Sequence, residues 1–189
     1  MNIVEKMSEN QNWAKITPWL GLVSLSLLFY FFDLNNPYFW ALINIPLYFF
    51  HQTEEHYLPG GFKDFINKNV ISQPDGQNSL TDEKVFWINI LMVWLAFAVF
   101  GVLSFFNIGF GLVIIIFSMM NCLTHIAQGI KLRCWNPGLV MASIQFIISI
   151  YAAYFVSMNG LDNVVIWWLG TIIFSVLAHV LLFKLVMSR

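Results

Sequence analysis

The chain has 189 residues, 59% of them hydrophobic and 10% charged, with a formal net charge of −1 and a mean hydropathy of +0.71. A soluble domain of this size has too little interior for that much apolar surface, so the composition excludes a soluble globular protein and indicates an integral membrane protein. The Lys and Arg residues are dispersed at the ends of apolar runs rather than gathered in a patch, which excludes a nucleic-acid partner.

The apolar runs predict an all-α bundle of about six transmembrane helices, each needing about 20 residues to cross a bilayer core. In chain order they cover roughly 17–32 (short), 37–56, 85–106, 109–130, 137–156 and 163–187, within a single polytopic domain spanning 1–189. The first run lacks a basic leading segment and a small-residue cleavage site, and Asp33-Leu34-Asn35-Asn36-Pro37 leads straight into the next, so it is expected to stay as a helix. Between the second and third runs, Phe62, Phe65, Ile66 and Val70 fall on one side of residues 62–71, with Lys63, Asp64 and Lys68 elsewhere. That pattern predicts an amphipathic segment lying in the membrane interface, placed to act as a lid. A plain polar loop follows over 72–79. Cys122, within the fourth run, and Cys134, just after it, are too sparse for a disulfide framework and are expected to be free thiols.

If six helices alternate from the N-terminus, Lys6, Lys15, Lys63, Lys68, Lys84, Lys131, Arg133, Lys184 and Arg189 all fall on one side, while the opposite turns carry Asp33 and Asp162. This asymmetry predicts cytoplasmic N- and C-termini in a multi-pass protein of the plasma membrane. The even-numbered helices then descend toward the cytoplasm. His51, His125 and His179 each sit near the lower end of one of them, roughly 7–8 Å inside the boundary at about 1.5 Å per residue, and so share a layer.

The chemistry concentrates in His51-Gln52-Thr53-Glu54-Glu55-His56. Glu54 and Glu55 are the only acids within an apolar run, and a carboxylate near lipid costs several kcal/mol unless it is neutralised or used. Asn44, Tyr48, His51 and Glu55 form one helical stripe, with Glu54 three residues from His51, and Pro46 predicts a kink about a turn before the cluster. On the fourth helix Ser118, Asn121, His125 and Gln128 make a second polar stripe. His179 has no polar companions nearby. His56 lies about 100° around the helix from Glu55 and is expected to be interfacial and solvated, while Asn89 and Gln145 read as hydrogen-bond partners between helices. Two turns, Pro59-Gly60-Gly61-Phe62 and Asn136-Pro137-Gly138, are placed to fold over the histidine layer.

These residues resemble the HXXEE family of small bacterial membrane proteins, named for the motif carried here by His51, Glu54 and Glu55. The resemblance runs from Tyr38 to the end of the fifth helix. Its specific parts are the motif with Pro59-Gly60-Gly61-Phe62, and Asn121 and His125 followed by Asn136-Pro137-Gly138. It implies an enzyme built on the histidine, the paired glutamates, the second histidine and the asparagine, without naming a reaction.

Imidazole and carboxylate suit zinc, iron or manganese, and His-x-x-Glu on a helix turns both side chains to one face. The first expectation is therefore a metal-dependent enzyme, possible ligands being His51, Glu54, Glu55, His125 and His179. The glutamate that does not ligate would serve as general base, and Asn121 as an orienting or oxyanion donor. The expected substrate is a hydrophobic or lipid-like molecule reaching the site from the cytoplasmic leaflet. A second reading keeps the residues without metal, as an acid–base enzyme or intramembrane protease, although the glutamate intramembrane proteases want an arginine four residues after the second glutamate, where this chain has Pro59. A third is an ion or proton transporter, but the polar residues cluster at one depth and trace no continuous path.

Overall fold

The computed structural model describes residues 2–71 and 80–187, and among these every regular element is helical. The polar loop expected over 72–79 lies outside the described residues. In chain order the elements are α1 (Ile3–Ser8), a 3₁₀ segment (Glu9–Ile16), α2 (Thr17–Phe31), α3 (Pro37–Leu42), α4 (Asn44–His56), α5 (Phe62–Ile66), a π-helical turn (Asn67–Ile71), α6 (Asp82–Trp87), a π-helical stretch (Ile88–Trp94), α7 (Leu95–Ser104), α8 (Gly109–Leu132), α9 (Leu139–Asn159) and α10 (Val164–Met187).

Five helical runs among the described residues are, by length and composition, apolar enough to cross a membrane: Ile3–Phe31, Asp82–Ser104, Gly109–Leu132, Leu139–Asn159 and Val164–Met187, the first of them turning at Asn10 and Gln11 so that its continuous α-helix is Thr17–Phe31. The run expected over 37–56 is missing from that group because it is interrupted. Pro46 has no N–H to give the carbonyl of Leu42, and the rod divides at Ile43 into α3, of 6 residues, and α4, of 13. Taken together the two pieces still extend about 30 Å. The start of α3 is fixed by Asn36, whose side chain accepts from the Tyr38 amide, and by Pro37 in the first turn.

Helix α8 is central: 56% of its most apolar window is buried, against 17% for α10, which lies at the edge. Gly111 allows α8 to approach α3 closely, since a Cβ there would stand 2.6 Å from that of Ala41. The apolar core runs through Phe39, Leu42, Phe97, Leu112, Ile115 and Val156, while α2, α9 and α10 turn residues such as Phe29, Ile147 and Leu177 outward. Outward apolar side chains are what a lipid solvent requires.

One end of the bundle is covered by its own chain. The N-terminal segment turns at Asn10 and Gln11, both at positive φ, and buries Trp13. Asp82 at the start of α6 ties the cover together, accepting from Gln11 Nε2 at 2.6 Å and pairing with Lys63 Nζ at 3.0 Å. Asn67 bonds both the amide and the carbonyl of Leu80.

Candidate metal centre

Helix α4 presents His51 and Glu55 one turn apart, and α8 presents Asn121 and His125 in the same way. The two helices meet at the covered end. His51, Glu55 and His125 are 0%, 6% and 2% exposed, so none is solvated in the manner of a free surface group. Glu55 lies at the centre: Oε2 is 3.5 Å from His51 Nε2 and 3.2 Å from His56 Nε2, and Oε1 is 3.5 Å from His125 Nε2. The His51 and His125 rings stand edge to face at 4.7 Å.

The neighbours decide which imidazole nitrogen is left to act. Asn136 donates from Nδ2 to the carbonyl of His125 at 3.0 Å, which orients its amide and leaves Oδ1 facing His125 Nδ1, also at 3.0 Å. A carbonyl oxygen can only accept, so His125 carries a proton on Nδ1 and directs Nε2 at Glu55. On the other side, Asn121 Nδ2 donates to His51 Nε2 at 3.1 Å, which places a lone pair on that nitrogen and the proton on Nδ1. His51 Nδ1 has no hydrogen-bond partner among the described residues.

Direct charge-assisted N–H···O bonds are about 2.7–2.9 Å long, so the 3.5 Å separations exceed those of a closed ion pair. Two atoms each about 2.1 Å from one tetrahedral ion stand about 3.4 Å apart. Donor atoms of His51, Glu55 and His125 all lie within 4.8 Å of one another, and the three residues are able to hold a metal ion between them.

The Asn136-Pro137-Gly138 turn is fitted against both imidazoles. Gly138 has φ +93°, and a Cβ on it would stand 2.9 Å from His51 Cε1 and 3.0 Å from His125 Cε1. Both the backbone conformation and the space therefore require glycine. Phe62 covers the other side, its ring 5.4 Å from that of His56 and 5.8 Å from that of His125. A cavity of about 120 Å³ opens beside the cluster, with Glu55, Asn121, His125 and His179 among its walls.

Three residues are placed differently from the sequence expectation. Glu54 lies apart from the three grouped residues: its Oε1 and Oε2 accept from the amides of Val140 and Met141 at 3.1 and 2.6 Å, so the carboxylate caps the N-terminus of α9. His179 also stands outside the ligand group, donating from Nδ1 to the Ser175 carbonyl at 2.8 Å. His56, expected in solvent, is buried under Trp13 at 5.0 Å and beside Glu55. No local pattern announces that cover, since the contact joins residues more than forty positions apart. A buried chain behind the cluster was also missed as a chain: Trp94 Nε1 donates to Gln52 Oε1, and Gln52 Nε2 to Asn89 Oδ1, which sets Asn89 next to His56.

No curated protein and no solved structure matches the chain. Residues 42–153 match the family described as "protein of unknown function with HXXEE motif", a span that holds His51, Glu54, Glu55, Asn121, His125 and Asn136. The match covers more than half of the chain, which therefore belongs to the HXXEE family.

Proposed function

We propose that this membrane protein is a metal-dependent enzyme in which His51, Glu55 and His125 hold one divalent ion, zinc, iron or manganese. The observation that carries the reading is the approach of two tautomer-fixed imidazoles to one carboxylate at 3.5 Å. Three protein ligands leave a coordination position for water, and a bound ion lowers the pKa of that water to about 7 and polarises an oxygen of the substrate. The open position would face the cavity, on whose wall Asn121 stands. Asn136 orients the His125 imidazole through its Nδ1, Asn121 would release His51 Nε2 when that nitrogen takes the ion and would then be free to donate to a bound group, and Phe62 and Gly138 keep bulk water from both sides. The nine Lys and Arg residues, all assigned to one side by six alternating helices, support a cytoplasmic-facing site in the plasma membrane. A lipid-like or hydrophobic substrate entering from that leaflet fits its shallow depth and apolar walls.

Elemental analysis of protein purified in mild detergent tests this. Stoichiometric metal is expected, lost in His51→Ala and in His125→Ala but retained in His179→Ala. A well-folded protein that takes up no ion after dialysis against zinc, iron(II) and manganese would overturn the reading and return the weight to metal-free acid–base chemistry.

A further inference from the structure

A groove of about 390 Å³ runs along the outside of α8 between the Asp82–Ser104 run and α10, and every side chain lining it is apolar. Its walls include Met92, Ala96, Phe100, Phe117, Phe174 and Leu181. Along α10 it extends from Leu182 to Phe174, about 12 Å, leading away from the histidine layer toward the middle of the bundle. Leu177, Leu181 and Leu91 on its rim are exposed, so it opens sideways where lipid would lie.

Beside the Leu182 end of the groove, on the wall of the cavity next to Glu55, stands a polar atom without a hydrogen-bond partner among the described residues. Leu182 is a wall shared by the groove and the cavity beside Glu55, and Phe117 of the groove packs on the His179 ring at 4.7 Å. His179 is 6% exposed, and its Nδ1 proton is committed to the Ser175 carbonyl, so Nε2 carries a lone pair and can only accept. That nitrogen lacks a partner among the described residues, a costly condition for a buried polar atom. The π-helical stretch Ile88–Trp94 lies along the same junction, contributing Leu91 and Met92 to the groove and Asn89 and Val93 to the cavity. Wide turns of this kind are frequent at functional sites.

We propose that groove and histidine form one binding site for a single-chain lipid alcohol, the hydrocarbon chain lying in the groove and the hydroxyl donating to His179 Nε2. This names the substrate class of the metal site and rests on that reading for its chemistry, but not for binding. An acceptor-only nitrogen in the cavity that adjoins an apolar groove selects a hydroxyl over an ether or a carboxylate, because of these three only the hydroxyl supplies a proton without bringing a charge. A second copy of the chain or ordinary bilayer acyl chains would cover the groove without that preference.

The test is photolabelling of the detergent-purified protein with a diazirine-bearing long-chain alcohol, mapped by mass spectrometry. Label is expected on groove residues such as Phe100 and Phe174, and hexadecanol should compete about tenfold better than its methyl ether, the worth of one buried hydrogen bond. His179→Leu should abolish that discrimination while leaving label on the outward face of α9 unchanged, and Ala96→Phe should block the groove without touching the histidine. Equal competition by alcohol and ether in the unaltered protein overturns the proposal, and so does a groove protected from label by dimerisation. Metal content read on the same samples separates the two readings. Hydroxyl preference without bound metal removes only the metal, and bound metal without hydroxyl preference removes only the lipid alcohol.

Discussion

Two buried polar clusters share helix α4, and they differ in what their atoms are free to do. In the first, Asn44 Oδ1 accepts from Gln145 Nε2 at 3.0 Å and from Ser149 Oγ at 2.8 Å, an amide and hydroxyl clamp that joins α4 to α9. Two turns along the same helix, His51 and Glu55 meet His125 at distances too long for closed ion pairs, beside a cavity. No member of the first cluster ionises at ordinary pH; every member of the second can. In a bundle whose outer surface is hydrocarbon, neutral polar groups serve as glue between helices, whereas ionisable ones held in register beside a cavity mark chemistry.

The largest effect that would sharpen this contrast is expected from Asn136→Ala. Without its Oδ1 the Nδ1 proton of His125 loses its partner and the ring its orientation, and metal affinity should fall about 10- to 100-fold. Titration against a chelating dye would measure it, and an unchanged affinity would detach Asn136 from the site. Next comes Glu54→Gln, which keeps the side chain's shape but removes the charge that two α9 amides receive. Stability in a detergent unfolding assay should fall by about 1 kcal/mol while metal content stays the same. Loss of metal in this variant would instead make Glu54 a ligand and break the distinction between the paired glutamates. The smallest change is Ser149→Ala, which removes one bond of the amide clamp. It should cost about 0.6 kcal/mol with no change at the metal.

Much of this was legible in the chain because helical periodicity is local. The stripe from Asn44 to Glu55 and the stripe from Ser118 to Gln128 each needed a single helix to be recognised, and counting residues to the helix ends brought His51 and His125 to one depth. Pro46 likewise announced the interruption found at Ile43, since a missing amide is a property of one residue. What stayed hidden depends on contacts between distant segments. The stripe sets Glu55 apart from Glu54, but where the Glu54 carboxylate turns is not written locally, since its partner amides lie 86 and 87 residues away. The short N-terminal segment carries no long apolar period, so the burial of Trp13 over His56 could not be read from it. His179 shares the depth of the other two histidines, yet its Nδ1 turns back to the carbonyl of Ser175 and its ring packs on Phe117. Depth alone could not separate a ligand from a neighbour.

X-ray absorption at the edge of the bound metal would read the ligand set itself. Nitrogen and oxygen scatterers are expected at about 2.0–2.2 Å with the outer-shell signature of two imidazoles, and no sulfur at about 2.3 Å. A sulfur shell, which would bring in buried Cys122 on α8, or a single imidazole would contradict that ligand set.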